Sequence, residues 1–321
     1  MKRLALVLAA AAACSSPAAP PAGRVVMVLT VDWEGVELSA DGFAAIDALR
    51  GKLGGVPITH FVSAAYATRA SRGDLAAAID RGVHADDELA VHLHGWASLA
   101  QAASIAPRVS PSFFTGTDQL LQVVDGDTGF DLDLDAYDVP ALRALLKTSR
   151  QILEKSHHPV STSFRAGGYL ATPKLLLALG AEGIAVDSSA VDPRQLTGLD
   201  DDTLAKRLGA LWPGVTPATQ PFLAHGGALQ SIVELPIAAI VDDVPRAELA
   251  RLLDGARARL RANPGRDVFV VLAFHLETAS DFLPQLADVL AKARDDRTIF
   301  VTADRAAELA RFTLAPPAGS G

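Results

Sequence analysis

The sequence predicts an α/β barrel, on three observations. About eight short apolar runs alternate along the chain with stretches of helical spacing. The best of these runs are rich in Val, Ile and Leu and show no polar alternation, as in strands buried on both faces of a parallel sheet. Several end abruptly in carboxylates, imidazoles or a guanidinium. C-terminal strand ends are where parallel α/β folds place their chemistry.

The first run, Val25 to Val31, ends in Asp32-Trp33-Glu34-Gly35. Asp32 and Glu34 are two residues apart, so on an extended backbone they point to the same side. Helical spacing follows from Ala40 to Leu53 and stops at Gly54-Gly55. Val56 to Ser63 reads as a second strand, Leu75 to Ile79 as a helix closed by Arg81-Gly82, and Glu88 to His94 as a third strand. This β-α-β-α-β order favours parallel strands with right-handed crossovers. From Ser98 to Val139 the periodicity fails, and the stretch predicts a long excursion over the mouth of the fold. Its acidic run (Asp125, Asp127, Asp131, Asp133, Asp135) lacks the spacing of a calcium loop, so it is expected to be a solvated acidic loop.

Regular structure is predicted to resume with a helix from Val139 to Lys155, a short strand Thr162 to Arg165, and a helix Pro173 to Leu179 with Gly180 as its stop. Gly183 to Asp187 reads as a strand, Ile232 to Ile237 as another, and Arg246 to Ala262 as a helix. Val268 to His275 is the clearest buried strand. Phe282 to Ala293 is a helix, Thr298 to Thr302 a strand, and Ala303 to Arg311 a last helix. No internal repeat or second-domain boundary is visible.

The chain has 321 residues, 50% hydrophobic and 6% aromatic, with a formal net charge of −8. A sizeable core is available, and the acidic balance argues against nucleic-acid binding and against a basic membrane-surface protein. Met1-Lys2-Arg3 and the apolar run Leu4 to Ala13 read as a secretory signal. The ending Ala12-Ala13-Cys14 resembles a bacterial lipobox, although Ala11 stands where that motif has Leu. The resemblance implies cleavage before Cys14 and lipid on its thiol, which would make the chain a lipid-anchored protein of a bacterial cell envelope. An ordinary signal with an incidental cysteine is the alternative. Cys14 is the only cysteine, so no intramolecular disulfide can form. Residues 1–23 thus read as signal and Pro/Ala-rich tether, 24–313 as one domain, and 314–321 as a disordered tail.

Asp32, Glu34, His92, His94, Arg165, Asp187 and His275 all stand at strand ends. In a closed barrel those ends converge on one mouth. A carboxylate with imidazoles can bind a divalent metal, most simply zinc. Metal-bound water can attack a carbonyl, with a second carboxylate taking its proton and a separate histidine giving one to the leaving group. Hydrogen-bonded structural histidines and a surface arginine are the plainer alternatives. His60, His84, His157, His158 and His225 lack such placement and read as structural or surface.

Five stretches in order resemble the motifs of the polysaccharide deacetylase superfamily, also called the NodB homology domain. They are Leu29-Thr30-Val31-Asp32-Trp33-Glu34; Glu88 to Trp96 with its His92-Leu93-His94; Ser163-Phe164-Arg165-Ala166-Gly167-Gly168-Tyr169; Val186-Asp187-Ser188-Ser189; and Ala273-Phe274-His275-Leu276-Glu277. The resemblance runs from about Val25 to Phe312. It implies a distorted barrel of seven or eight strands and metal-dependent removal of acetyl groups from the sugars of a polysaccharide or oligosaccharide. It implies Asp32 as general base held by Arg165, and His275 as general acid with its pKa raised by a hydrogen bond that it donates to Asp187. Glu34, His92 and His94 would hold the metal, and Trp96, Gly168 and Tyr169 would contact substrate.

Two departures stand out. Trp33 occupies the place of the family's metal-binding aspartate, and Trp96 that of its second histidine, so Glu34 and His94 must substitute. A non-catalytic carbohydrate-binding lipoprotein on the same fold is therefore the second reading. A glycosidase using Asp32 and Glu234 is a third, which leaves the histidines without roles.

Overall fold

The computed structural model describes residues 22–69, 74–120, 122–196, 202–224 and 232–314. The Cys14 motif, His225 and the tail from residue 315 lie outside these residues.

Strand β1 (Val25–Trp33) is buried along its whole length, as its unbroken apolar run requires. It pairs in parallel with β2 (Thr59–Ser63) on one edge and with β11 (Val268–His275) on the other. From β2 the ladder continues in parallel through β3 (Glu88–Leu93), β6 (Val160–Ala166), β7 (Val186–Asp187) and β9 (Ile232–Glu234). Strand β10 (Ile237–Ile240) follows β9 after Leu235 and Pro236 alone, yet pairs with β11. Pro236 has no N–H to give a ladder, so one extended segment changes partners there. Leu235 N still bonds Asp187 O and Ile237 N bonds Ala190 O, both at 2.8 Å, while Val241 N bonds Ala273 O at 2.8 Å. The hydrogen-bonded circuit thereby returns to β11 and β1. The ring is a distorted barrel of seven parallel strands, counting β9 and β10 as one. Outside it, β8 (Phe222–Ala224) lies antiparallel on β9 and β12 (Thr298–Phe300) parallel on the start of β1.

Helices α1 (Ala40–Lys52), α2 (Leu75–Gly82), α4 (Val139–Leu153), α5 (Pro173–Ala181), α7 (Arg246–Ala262), α8 (Ala279–Ala293) and α9 (Ala303–Leu314) form most of the outer layer. Their starts are chemically marked. Ser39, Asp74, Asp138 and Thr172 each accept a backbone N–H in the first turn of α1, α2, α4 and α5. Two further helices, α3 (Ala97–Ala102) and α6 (Thr203–Leu211), fall where the sequence shows no clear period. No helix among the described residues is long and apolar enough to cross a membrane.

The excursion after β3 corrects the expectation of a solvated acidic loop. It contains a hairpin of β4 (Val123–Val124) and β5 (Asp127–Thr128). Asp125 and Gly126 turn it with φ of 51° and 79°, the left-handed pair that an Asp-Gly turn supplies. Asp131 and Asp133 are buried. Asp127 accepts from Ser98 Oγ at 2.6 Å, Asp133 pairs with Arg207 of α6, and Asp135 accepts from Thr172 Oγ1 at 2.5 Å. These carboxylates are consumed in tying the excursion to the barrel, which the charge pattern alone could not reveal.

Candidate active site

Register brings the polar strand ends together. Asp32 lies beside His275 across β1 and β11, and His92 beside Arg165 across β3 and β6. Registered neighbours in a parallel sheet project to the same side, here the barrel mouth.

Glu34, His92 and His94 converge there with ligand atoms within 4.8 Å of one another. Glu34 Oε2 is 2.5 Å from His94 Nε2 and 3.4 Å from His92 Nε2, and the two Nε2 atoms are 3.1 Å apart. Both imidazoles are fixed from behind. His92 Nδ1 faces Arg165 O at 3.0 Å, and His94 Nδ1 faces Phe130 O at 2.6 Å. A carbonyl can only accept, so each Nδ1 carries a proton, which leaves each Nε2 directed at the other and at Glu34 Oε2. Two imidazole nitrogens and a carboxylate oxygen directed at one point make a donor set that could hold a divalent cation. Burial opposes the charged form of Glu34, but His94 and His92 outweigh it and hold the carboxyl well below its usual range. Burial likewise opposes charge on His92, and Glu34 and then Asp32 raise it regardless. Gly167 is needed behind this cluster, because a Cβ there would lie 2.6 Å from His94 Nδ1.

Asp32 is fully buried, and Arg165 Nη1 donates to its Oδ1 at 2.7 Å. Arg165 is itself held by Thr30 Oγ1, Ser188 O and Ser188 Oγ at 2.7 to 2.9 Å, and its guanidinium lies 4.3 Å above the Phe61 ring. The other oxygen, Asp32 Oδ2, is buried without a hydrogen bond, and the Asp32 carboxylate forms a second cluster with Glu34 and His275.

The expected bond between Asp187 and His275 is not formed. His275 Nδ1 is bonded to Asp242, which also accepts from the His275 backbone N at 3.2 Å and from Thr278 Oγ1 at 3.1 Å. The reason is topological: β7, which carries Asp187, is not a neighbour of β11, whereas Asp242 follows β10, which is. Burial alone would lower the imidazole pKa, but Asp242 pushes it up to about 10. Asp187 instead takes the Ser189 hydroxyl at 2.6 Å and presses against Glu234. Burial first, then Asp187, raise the Glu234 carboxyl well above its usual range, while its Oε1 accepts from Ser189 N and Ala190 N. Glu234 is thus part of the support under Arg165 and does not line the mouth with Asp32, against the glycosidase pairing.

The two tryptophans explain the departures. Trp33 faces out of the ring and packs edge-on against Phe43 of α1, with centroids 5.0 Å apart, so a ligand at that position would miss the site. Trp96 is fully buried and does not line the cavity, contrary to the expected substrate contact. Its indole N–H donates to Glu34 O at 3.1 Å, and Arg69 lies 4.4 Å above its ring, so it buttresses the backbone of Glu34. Gly168 and Tyr169 do line the cavity, and the Tyr169 hydroxyl is 3.3 Å from His275 Nε2. The cavity they share with Glu34, His92, His94 and His275 measures about 140 Å³, and Phe113, Phe114, Phe130, Ala166, Leu196, Leu204 and Asp243 complete its lining.

No family model matches the sequence. No curated protein matches it either. Solved structures do resemble it. A Mycobacterium smegmatis protein described as a polysaccharide deacetylase superimposes with a TM-score of 0.52 at 17% identity, over 94% of this chain and 96% of that one. The fold is the polysaccharide deacetylase fold. A Pseudomonas aeruginosa PAO1 protein of the same description gives 0.52 at 14% identity, over 89% and 91% of the two chains. Puue allantoinase gives 0.53 at 12% identity, over 92% and 95%.

Asp242 and the Phe130 carbonyl are the site groups that sequence reading missed. Asp242 obeys the same strand-end rule that finds Asp32 and would have been found had β10 been read past Pro236. A backbone carbonyl leaves no mark in the sequence.

Proposed function

We propose that this chain is a metal-dependent hydrolase that removes acetyl groups from nitrogen, or oxygen, on the sugars of a polysaccharide or oligosaccharide. The observation that carries this reading is the convergence of His92 Nε2, His94 Nε2 and a Glu34 carboxylate oxygen on one point at the mouth. Glu34, His92 and His94 would hold the ion, and two imidazoles with one carboxylate suit zinc most simply. Such an ion supplies a Lewis acid that polarises a carbonyl and makes a water molecule acidic.

The remaining residues move protons. Asp32 Oδ2, unpaired and held by Arg165 through its other oxygen, takes the proton of the attacking water. As the carbon–nitrogen bond breaks, the departing nitrogen takes a proton from His275 Nε2, which Asp242 keeps charged from behind. Tyr169, its pKa raised by burial and then by Asp32, stays a neutral hydroxyl and steadies His275. These groups form a working acid and base, so the non-catalytic reading is the weaker one. We also propose export and a lipid anchor on Cys14, from the basic start, the short apolar run and the Ala12-Ala13-Cys14 ending.

Acetate release from acetylated chitooligosaccharide and peptidoglycan, with metal analysis of the same samples, tests the main reading. His92→Ala and His94→Ala should lose the metal. Asp32→Asn should keep it and lose about 10²–10⁴ in rate, the usual worth of a positioned base. A zinc-loaded wild type that releases no acetate from any N- or O-acetylated glycan would overturn the proposal.

A further inference from the structure

A second groove, of about 570 Å³, opens beside the mouth, and Asp243 borders both. One side of it is a stripe of α7. Glu248, Leu252, Gly255 and Arg259 follow one another at helical spacing and share a face of that helix. Helix α7 begins just after β10, at the mouth end of the ring, so the stripe leads away from the mouth for about 16 Å.

The cations of this groove are paired except one. Arg194 Nε donates to Asp192 Oδ1 at 2.9 Å, and Arg251 Nη2 lies 3.7 Å from Glu248 Oε2. Arg259 has no carboxylate partner among the described residues: burial lowers its pKa and nothing offsets it. Its Nε and Nη2 are buried without an acceptor. These two N–H groups form one edge of the guanidinium, the fork that grips a carboxylate through two bonds. With no bond holding it, the side chain can turn that fork into the groove at no loss of hydrogen bonding.

A glycine keeps the space beside Arg259 open. Gly255 sits inside α7, where glycine is a poor helix former. Packing does not require it, since a Cβ there would meet only Arg259 Nη1 within 4 Å, at 3.8 Å. A larger side chain would stand in the groove against Arg259.

A lone positive charge among paired ones suits a singly charged carboxylate better than a dianionic phosphate. We propose that the groove binds the flanking sugars of an acidic glycan, with Arg259 gripping a uronate carboxylate and Gly255 leaving room for it. The inference rests on the reading of the chain as a glycan deacetylase and names its substrate class.

The test compares a heparosan octasaccharide, in which N-acetylglucosamine alternates with glucuronate, with neutral chitooctaose. Acetate release by the zinc-loaded protein should favour heparosan in kcat/KM by about tenfold or more, the usual worth of a hydrogen bond to a charged group. Arg259→Gln should lower that ratio by a similar factor, chiefly through KM. Gly255→Leu, which favours the helix and blocks the groove, should do the same. Calorimetric binding of tetragalacturonate to wild type and Arg259→Gln reads the groove without turnover. Acetate released from both glycans with no preference, or a preference that neither variant changes, would overturn the proposal and leave the deacetylase reading standing. No acetate from either, with tetragalacturonate bound at least tenfold tighter by wild type than by Arg259→Gln, would support the groove and sink the deacetylase reading. No acetate and no difference in binding would overturn both.

Discussion

Phe130 holds His94 twice over: its ring stacks on the imidazole with planes 9° apart, and its backbone carbonyl faces His94 Nδ1 at 2.6 Å. The excursion after β3 is therefore part of the candidate metal site. It fixes which nitrogen carries the proton and where the other one points. Partners of this kind are worth 10–100-fold in metal affinity where they have been removed. Phe130→Ala keeps the carbonyl but loses the ring that positions it, and should weaken zinc binding by about tenfold. A competition titration with a chromophoric chelator measures this. An unchanged affinity in a folded variant would show that the excursion does not hold the ligand.

The Asp242 contact sets the pH behaviour. His275 must be protonated to act as an acid, and it is held charged up to about 10. Activity should therefore persist to alkaline pH and fall as pH rises through that value. Asp242→Asn removes the main charge favouring imidazolium, so the pKa drops and the alkaline limb moves to lower pH. Asp187→Asn should leave the limb in place, because Asp187 is spent on Ser189 and Glu234. Rate profiles of the two variants decide between the carboxylates. A limb that moves with Asp187→Asn and not with Asp242→Asn would reverse the assignment.

How much was legible follows from which interactions are local. β1, β3 and β11 announce themselves as apolar runs with polar ends, and so the cluster of Asp32, Glu34, His92, His94 and His275 was visible before any coordinates. The start of α4 was visible too, with Asp138 just ahead of the helical period. Partner choice was not visible. Whether His275 meets Asp187 or Asp242 depends on which strand lies next to β11, and that order is set by the whole ring. Ile237 to Ile240 is an Ala-rich run beyond a proline, a weak strand signal on its own. The acidic excursion misled for a related reason: a carboxylate that caps, ties or pairs has the same letter as one that is merely solvated.

The proposed anchor makes a prediction independent of the chemistry. Mass spectrometry of the membrane fraction should find the mature chain beginning at a diacylglycerol-modified Cys14, and Cys14→Ser should appear in the soluble fraction. A wild-type chain that is soluble, unmodified and begins elsewhere would rule the anchor out.

Acid should loosen the fold through one buried group beneath the site. His60 on β2 is fully buried, with Nε2 3.3 Å from Asp87 Oδ2 and its ring 5.7 Å from Trp33. Asp87 also accepts from Ile58 N and His84 N, both at 2.8 Å, and from Arg50, so it clamps the start of β2 next to β3, which carries His92. Burial lowers the His60 pKa from 6.5, and Asp87 offsets this only in part. The unfolded chain then binds a proton before the folded one does. Stability from this group is complete above pH 6.5 and is lost as pH falls below it, with a slope of up to about 1.4 kcal/mol per pH unit. Burial works against the Asp87 carboxylate, but His60, His84 and Arg50 prevail and hold its pKa below 3.8, so its own contribution survives until pH falls past that value. Urea midpoints should thus decline from pH 6.5 to 5. His60→Leu, which cannot take a proton, should be flatter over that window, and Asp87 would still keep Arg50 and its two backbone donors. Equal slopes for wild type and His60→Leu would show that the acid sensitivity comes from somewhere else.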